Sequence, residues 1–249
     1  MRAAMMESVM AAHRAIRAAC GEDELLEGMG TTLTSMALDR DRKRYTLGHV
    51  GDSRAYLFRA GVLSQLTTDD TCVQARVDAS ELTPEQARHH PYSHVLTQCV
   101  GLEDEPAPHI LDGVAAVDDV YLLCSDGLVG MLEDADIVSV MRERLGDAPS
   151  AANLEDTAQA LVAAAPMAPV GVGSSALEHL LGELVLALVQ VGTPQHVAGP
   201  ACLRAAVARF GQGQGPLPHP LRLLVPLEQQ QPFAEPAQGL EVARRVVKQ

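Results

Sequence analysis

Two acidic turns, each at the end of an apolar segment, are the parts of this sequence best suited to chemistry. Residues 49–54 read HVGDSR and contain Asp52, and residues 122–128 read LLCSDGL and contain Asp126. A carboxylate at a strand end, beside a glycine that permits a tight turn, suits a hard cation such as Mg²⁺ or Mn²⁺. An Asp-Gly pair also forms ordinary turns without binding anything, so neighbouring segments must decide between the two roles.

Four further segments accompany these turns in a fixed order. They are residues 28–32 (GMGTT), 66–71 (LTTDDT), 82–91 (LTPEQARHHP) and 95–98 (VLTQ). In this order and spacing the sequence resembles the bacterial metal-dependent protein phosphatases, the PPM or type-2C family, over roughly residues 8 to 165. The resemblance implies an α/β fold, a PPM-type β-sandwich of two antiparallel sheets flanked by helices, with a metal site in a cleft at one end.

The resemblance also implies a reaction, a cofactor and partners. The implied reaction is the hydrolysis of phosphoserine and phosphothreonine in proteins by a metal-bound water. Two ions, Mn²⁺ or Mg²⁺, about 3.5–4 Å apart would activate that water and hold the phosphoryl oxygens. The implied partners are a phosphoprotein substrate and an opposing serine/threonine kinase.

Two aspartates are the candidate metal ligands. The resemblance implies that Asp126 is a ligand and that Asp52, in the Gly-Asp-Ser-Arg segment, helps to hold a third and looser ion. The alternative is that Asp52 only fixes its turn together with Arg54, and both interpretations stay open at this point. Asp69 and Asp70 match a variable part of the family pattern, and we assign them no ligand role.

The sequence departs from the family pattern at both ends. The pattern begins with an acidic strand and an Asp-Gly-x-Gly-Gly turn, whereas residues 1–20 here predict the helix that follows that turn. Five residues fall on one face of this helix: Met6, Val9, Met10, His13 and Ile16. After Ala165 no Gly-Gly-x-Asp-Asn segment follows, and a shift of reading frame near residue 165 is one hypothesis that sequencing the locus would test.

These departures give two functional hypotheses and a domain boundary. We expect residues 1–165 to be a partial, truncated phosphatase domain and residues 166–249 to be a divergent Pro/Gly-rich tail that is poorly ordered. The first hypothesis is a phosphatase whose activity is impaired in this chain. The second is a non-catalytic, phosphatase-like module that binds a partner.

Composition narrows the possible partners and compartments. The 249 residues suit one domain, and a net charge of -13 argues against binding to nucleic-acid phosphates. Five scattered cysteines without a C-x-x-C pair indicate neither a disulfide framework nor a zinc site, and they favour a reducing, cytoplasmic setting. We expect no membrane span: polar residues 178, 179 and 183 flank the apolar run 184–191, which predicts a strand or part of a helix.

Local patterns predict the elements that must position the two aspartates. We expect strands at 33–38, 45–50, 55–58 and 117–124, and helices at 71–79, 83–89, 133–145 and 154–165. The cluster His89, His90 and His94 could bind metal or phosphate, although a surface role without chemistry is the commoner one for such residues. Arg54 and Arg88 could grip phosphate, although an ion pair with a carboxylate is the commoner role of such residues. Cys124, in an apolar strand, is predicted to pack in the core.

Overall fold

The structure, a computed structural model, describes most of the first two thirds of the chain and two later strands. The described residues are 1–39, 41, 43–146, 150–165, 184–190 and 204–210, with only the backbone described at Ala151 and in the last two ranges. Among these residues, no helix combines the length and the apolar character that a bilayer crossing requires.

Two antiparallel sheets form the framework. The first has the order β1-β2-β5, and its strands are β1 (Leu33–Leu38), β2 (Arg44–Val50) and β5 (His109–Val114). The second has the order β4-β3-β6-β7-β8, and its strands are β3 (Arg54–Arg59), β4 (Val62–Gln65), β6 (Val120–Cys124), β7 (Leu184–Gln190) and β8 (Arg204–Phe210). All the pairings within the sheets are antiparallel, which confirms the predicted architecture.

The two sheets face each other across an apolar layer. Leu47 from β2 and Tyr121 from β6 are fully buried in this layer, which also contains Tyr45 and Ala55. The rings of Tyr45 and Tyr121 meet edge to face, with their centroids 5.2 Å apart. Because each large apolar side chain removed from water contributes about 1.5–3 kcal/mol, this layer holds the sandwich together.

Helices cover the outer face of each sheet. Helix α1 (Arg2–Glu22) lies on the first sheet, where Val9 packs with Val50 and Val100. Three short helices connect the strands along the chain. Helices α2 (Cys72–Asp78) and α3 (Pro84–Arg88) come between β4 and β5, and α4 (Asp126–Val129) follows β6. Helices α5 (Asp134–Leu145) and α6 (Ala151–Ala164) pack on the second sheet and bury its other face.

Helix α1 places only part of its predicted apolar face in the interior. Val9 and His13 are buried, whereas Met6 is 38 % exposed at the start of the helix.

The structure corrects two details of the predicted strands. Strand β6 begins at Val120 and not at residue 117, because the carboxylate of Asp119 accepts the Ala116 N–H at 2.7 Å and closes a turn there. Asp118 within that turn has a φ of 67°. Strands β4, β5 and β8 were absent from the predicted elements.

The later part of the chain supplies two strands. The apolar run from residue 184, predicted as strand or helix, is strand β7, and it pairs with β6. Strand β8 then pairs with β7. Both strands lie within the predicted tail, whose other residues are outside the described part of the chain, so the expected poor order of residues 166–249 stays a prediction.

The turn between β2 and β3 depends on Gly51. Its φ is +104°, a conformation that residues with a side chain rarely adopt, and a Cβ there would overlap the side chain of Thr32. We expect Gly51→Ala to lower the free energy of unfolding by about 3 kcal/mol, measured by urea denaturation.

The matched control for this substitution is Gly28→Ala. Gly28 also has a positive φ, 77°, but nothing lies within 4 Å of a Cβ added there. It should lose only about 1 kcal/mol. Equal losses at the two glycines would show that the contact with Thr32 is unimportant.

Candidate metal site

The pairing of β3 with β6 brings Asp52 and Asp126 to the same end of the second sheet. Arg54 is the register partner of Cys124 in this antiparallel pair. Asp52 precedes Arg54 by two residues and Asp126 follows Cys124 by two residues, so both aspartates lie just beyond the same end of the paired strands. Residues about seventy positions apart in the sequence are therefore neighbours in the fold, as a shared site requires.

The electrostatics of Asp52 show that negative charge is concentrated here. Burial, followed by the charges of Asp126 and Asp69, raises the pKa of Asp52 from 3.8 to about 6. Desolvation and like charges both disfavour an ionised carboxylate, and a divalent cation at the same place would offset both effects. The carboxylate oxygens of Asp52 and Asp126 thus fit Mn²⁺ or Mg²⁺.

Asp126 is the more solvent-exposed of the two aspartates. It is the first residue of α4 and is exposed, and its carbonyl accepts the Gly130 N–H at 2.7 Å. The strand therefore leads into one helical turn, and Gly127 is a helical residue and not the tight turn that its sequence predicted. An exposed carboxylate leaves room for water, which Mg²⁺ keeps in its coordination shell.

Arg54 is paired with Asp69 and not with Asp52. Its Nε and Nη2 donate to the two Asp69 oxygens at 2.9 and 2.7 Å, a bidentate ion pair. Its Nη1 donates to the hydroxyl of Tyr56 at 3.1 Å. The idea that Asp52 fixes its turn together with Arg54 is wrong in this respect, and Arg54 instead offsets part of the negative charge beside Asp52.

Asp70 holds the turn that carries Asp52. One carboxylate oxygen accepts the Gly51 N–H at 2.8 Å, and the other lies 2.8 Å from Nε2 of His109. The Asp70 N–H in turn donates to the Gly51 carbonyl at 2.7 Å. The sequence analysis assigned Asp69 and Asp70 no ligand role and named no partner for Asp70, because adjacency alone does not reveal which distant groups two carboxylates will contact.

The segment between β4 and β5 contributes side chains of different importance. His94 is exposed and its charge lowers the pKa of Asp52, so it lies near the site. His90 instead contacts Arg76, at 3.3 Å. Arg88 donates to the carbonyls of Val129 and Leu132 at 2.9 and 2.7 Å, so it fixes the chain after α4 and forms neither of the contacts expected of it.

Cys124 is a core residue, as its apolar strand predicts. It is 4 % exposed, and burial raises the pKa of its thiol to about 12. A thiol in this state is a poor nucleophile, because the thiolate is the reactive form.

Among the described residues, no group of three or more His, Cys, Asp or Glu side chains is placed to hold a metal ion. The candidate site therefore consists of two carboxylates, supported by the contacts of Asp69 and Asp70.

The relatives found by comparison with known proteins are protein phosphatases. No family model matches the chain. The serine/threonine protein phosphatase PstP of Mycobacterium tuberculosis is 43% identical over 136 residues, which are 54% of this chain and 26% of PstP. Protein phosphatase PhpP of Streptococcus pneumoniae is 38% identical over 121 residues, 49% of this chain and 48% of PhpP.

A solved structure agrees with these relatives. The catalytic domain of PstP in complex with two manganese ions superposes with a TM-score of 0.52 and 37% identity, covering 61% of this chain and 59% of that one. The chain thus spans about half or less of the length of the two curated relatives.

Removing the charge of Asp52 should stabilise the protein without metal. At pH 8 in EDTA, above its pKa of about 6, Asp52 is ionised against burial and two like charges. We expect Asp52→Asn to raise the free energy of unfolding by about 1 kcal/mol, a value reduced for partial solvent screening. Urea denaturation at that pH measures the change.

Asp112 provides the matched control for this substitution. Hydrogen bonds from Thr46 and Arg2 lower the pKa of Asp112, so its ionised form is favoured in the folded protein. Asp112→Asn should therefore give no gain in stability. A loss of stability in Asp52→Asn would contradict the concentration of negative charge around Asp52.

Proposed function

As a member of the bacterial PPM family of metal-dependent protein phosphatases, the chain contains part of a phosphatase fold, and we propose that its function is the hydrolysis of phosphoserine and phosphothreonine in proteins. The observation that carries this proposal is that Asp52 and Asp126 lie at the same end of one sheet, where their like negative charges repel each other.

We propose Mn²⁺ or Mg²⁺ as the cofactor, held by Asp52 and Asp126. The manganese ions in the PstP structure support this choice, as does the oxygen-only ligand set of the two side chains. When bound, such ions activate a water and neutralise charge on the transferred phosphoryl group.

The chain's own residues supply the positions for this chemistry. Asp70 fixes the Gly51 backbone and so the place from which Asp52 reaches the site. The ion pair of Arg54 with Asp69 neutralises one neighbouring carboxylate, which leaves Asp52 and Asp126 as the charges available to a cation. The charge of the exposed His94 also acts on Asp52 and lowers its pKa.

We propose that activity is impaired in this chain. Two carboxylates provide few of the oxygen ligands that a pair of divalent ions requires, and no three-residue cluster exists among the described residues. The same observation favours a second candidate, a non-catalytic phosphatase-like module that binds a partner.

The proposed partners and compartment follow from the proposed reaction. The phosphoserine and phosphothreonine consumed are made by protein kinases, so a serine/threonine kinase acting on the same phosphoprotein is the proposed counterpart. Cys20, Cys72, Cys99 and Cys124 are free thiols, which supports a reducing, cytoplasmic setting.

Metal titration with an activity assay tests the proposal. Mn²⁺ is titrated calorimetrically into the metal-free full chain, and a phosphothreonine peptide is assayed for released phosphate. We expect Mn²⁺ binding with little turnover, and Asp126→Asn should weaken binding at least about tenfold. The control is Asp118→Asn, because Asp118 lies before β6, at the end of that strand opposite to Asp126.

Each outcome decides one part of the proposal. Absence of Mn²⁺ binding would contradict the metal site, and efficient turnover would contradict the impairment. Binding that survives Asp126→Asn would place the cation elsewhere. Mn²⁺ binding without any turnover would favour the binding module.

A further inference from the structure

His49 is a buried histidine whose two ring nitrogens both have polar partners. It lies in β2 with an exposure of 0 %, between its register partners Thr34 in β1 and His109 in β5. Its Nδ1 is 2.9 Å from the Thr34 hydroxyl, and its Nε2 is 3.0 Å from the carbonyl oxygen of Thr68.

His49 Nδ1 and the Ser53 carbonyl compete for the single proton of the Thr34 hydroxyl. A carbonyl oxygen only accepts, so Nε2 must carry a proton to bond Thr68. The Thr34 hydroxyl has one proton and lies 2.8 Å from the Ser53 carbonyl as well as 2.9 Å from Nδ1. With a neutral imidazole, that proton serves either Nδ1 or Ser53; with both ring nitrogens protonated, all three hydrogen bonds form together.

The two carbonyls are next to important carboxylates. Ser53 follows Asp52, and Thr68 precedes Asp69. His49 contacts the Thr68 carbonyl directly and is linked to the Ser53 carbonyl through the Thr34 hydroxyl. We propose that His49 is a positioning residue for the Asp52 turn: a second proton on its imidazole redirects the Thr34 hydroxyl to the Ser53 carbonyl and completes the support of that turn.

The charges around His49 act in both directions. Burial is the largest effect and lowers the pKa of His49, and the charge of His109 across the strand pair lowers it further. Asp70 and Asp69, together with the bond to the Thr68 carbonyl, raise it. The neutral imidazole is therefore the form at the upper end of the pH range, where Nδ1 and the Ser53 carbonyl share the single Thr34 proton, and acidification directs that proton to Ser53 alone.

The consequence for metal binding rests on the proposed function. A group that orients a metal ligand from the next layer of contacts typically changes metal affinity by about 10–100-fold. Loss of the Thr34 hydroxyl removes the link between His49 and Ser53, so it should weaken binding of Mn²⁺ at Asp52 by about tenfold.

Nuclear magnetic resonance on the isotope-labelled full chain tests the inference directly. The variant Asp52→Asn is used as the background, so that residue 52 does not titrate. From about pH 8 to about pH 5, the imidazole ¹⁵N shifts of His49 and His109 give each protonation midpoint, and the ¹³C shift of the Ser53 carbonyl reports its hydrogen bond. We expect the Ser53 carbonyl to follow the midpoint of His49 and not that of His109.

Two substitutions of Thr34 separate positioning from simple packing. In Thr34→Val, which keeps the shape but removes the hydroxyl, the pH-dependent step at Ser53 should vanish. In Thr34→Ser, which keeps the hydroxyl, the step should return. A Ser53 carbonyl that ignores the His49 midpoint overturns the proposal, as does a His49 that stays neutral throughout the range; both results come from a chain with Thr34 intact.

A second readout uses Mn²⁺ on chains that retain Asp52. Thr34→Val should bind Mn²⁺ about tenfold more weakly than the parent at pH 7.5, and Thr34→Ser should match the parent. If the parent binds no Mn²⁺, the proposed function fails while the carbonyl measurement still decides the role of His49. Unchanged affinity in Thr34→Val with normal parental binding overturns the inferred effect on the metal site.

Discussion

The antiparallel pairing of β3 with β6 is the constraint on which the candidate site depends. Because Arg54 pairs with Cys124, the first residue of β3 and the last residue of β6 lie at the same end of the sheet. Any other register would separate Asp52 from Asp126 along the strands by about 3.3 Å for each residue of shift. The apolar residues of β6 specify the register, since a slip by one residue would turn Tyr121 and Leu122 to the wrong faces.

The concentration of acidic groups at that end of the sheet is unfavourable by itself, and the surrounding contacts offset it. Arg54 neutralises Asp69 through two parallel hydrogen bonds, the geometry in which arginine binds carboxylates most strongly. Asp70 is satisfied by a backbone N–H and by His109. Burial and two like charges raise the pKa of Asp52 to about 6, so unfavourable charge is concentrated at a proposed ligand.

The sequence predicted the fold class and the two candidate ligands, because family-like motifs and apolar periodicity are local features. It also predicted the helix near the start and the capped helix α3, whose Thr83 and Gln86 form a capping box. It missed β4, β5 and β8, which are short or mixed in polarity and are defined by the strands they pair with. The partners of Arg54, Asp69, Asp70 and His49 were also missed, since each is fixed by a contact at least 15 residues away along the chain or by the register of neighbouring strands.

The strand order has a consequence for how the protein folds. β2 pairs with β5 and β3 pairs with β6 across more than fifty intervening residues, so these pairings form only after large loops have closed. Folds dominated by such non-local contacts form slowly compared with helical bundles. The two aspartates meet only when the β3–β6 pairing is complete. A cation that requires both would therefore bind the native chain and not its unfolded forms, and its concentration would shift the folding equilibrium by mass action.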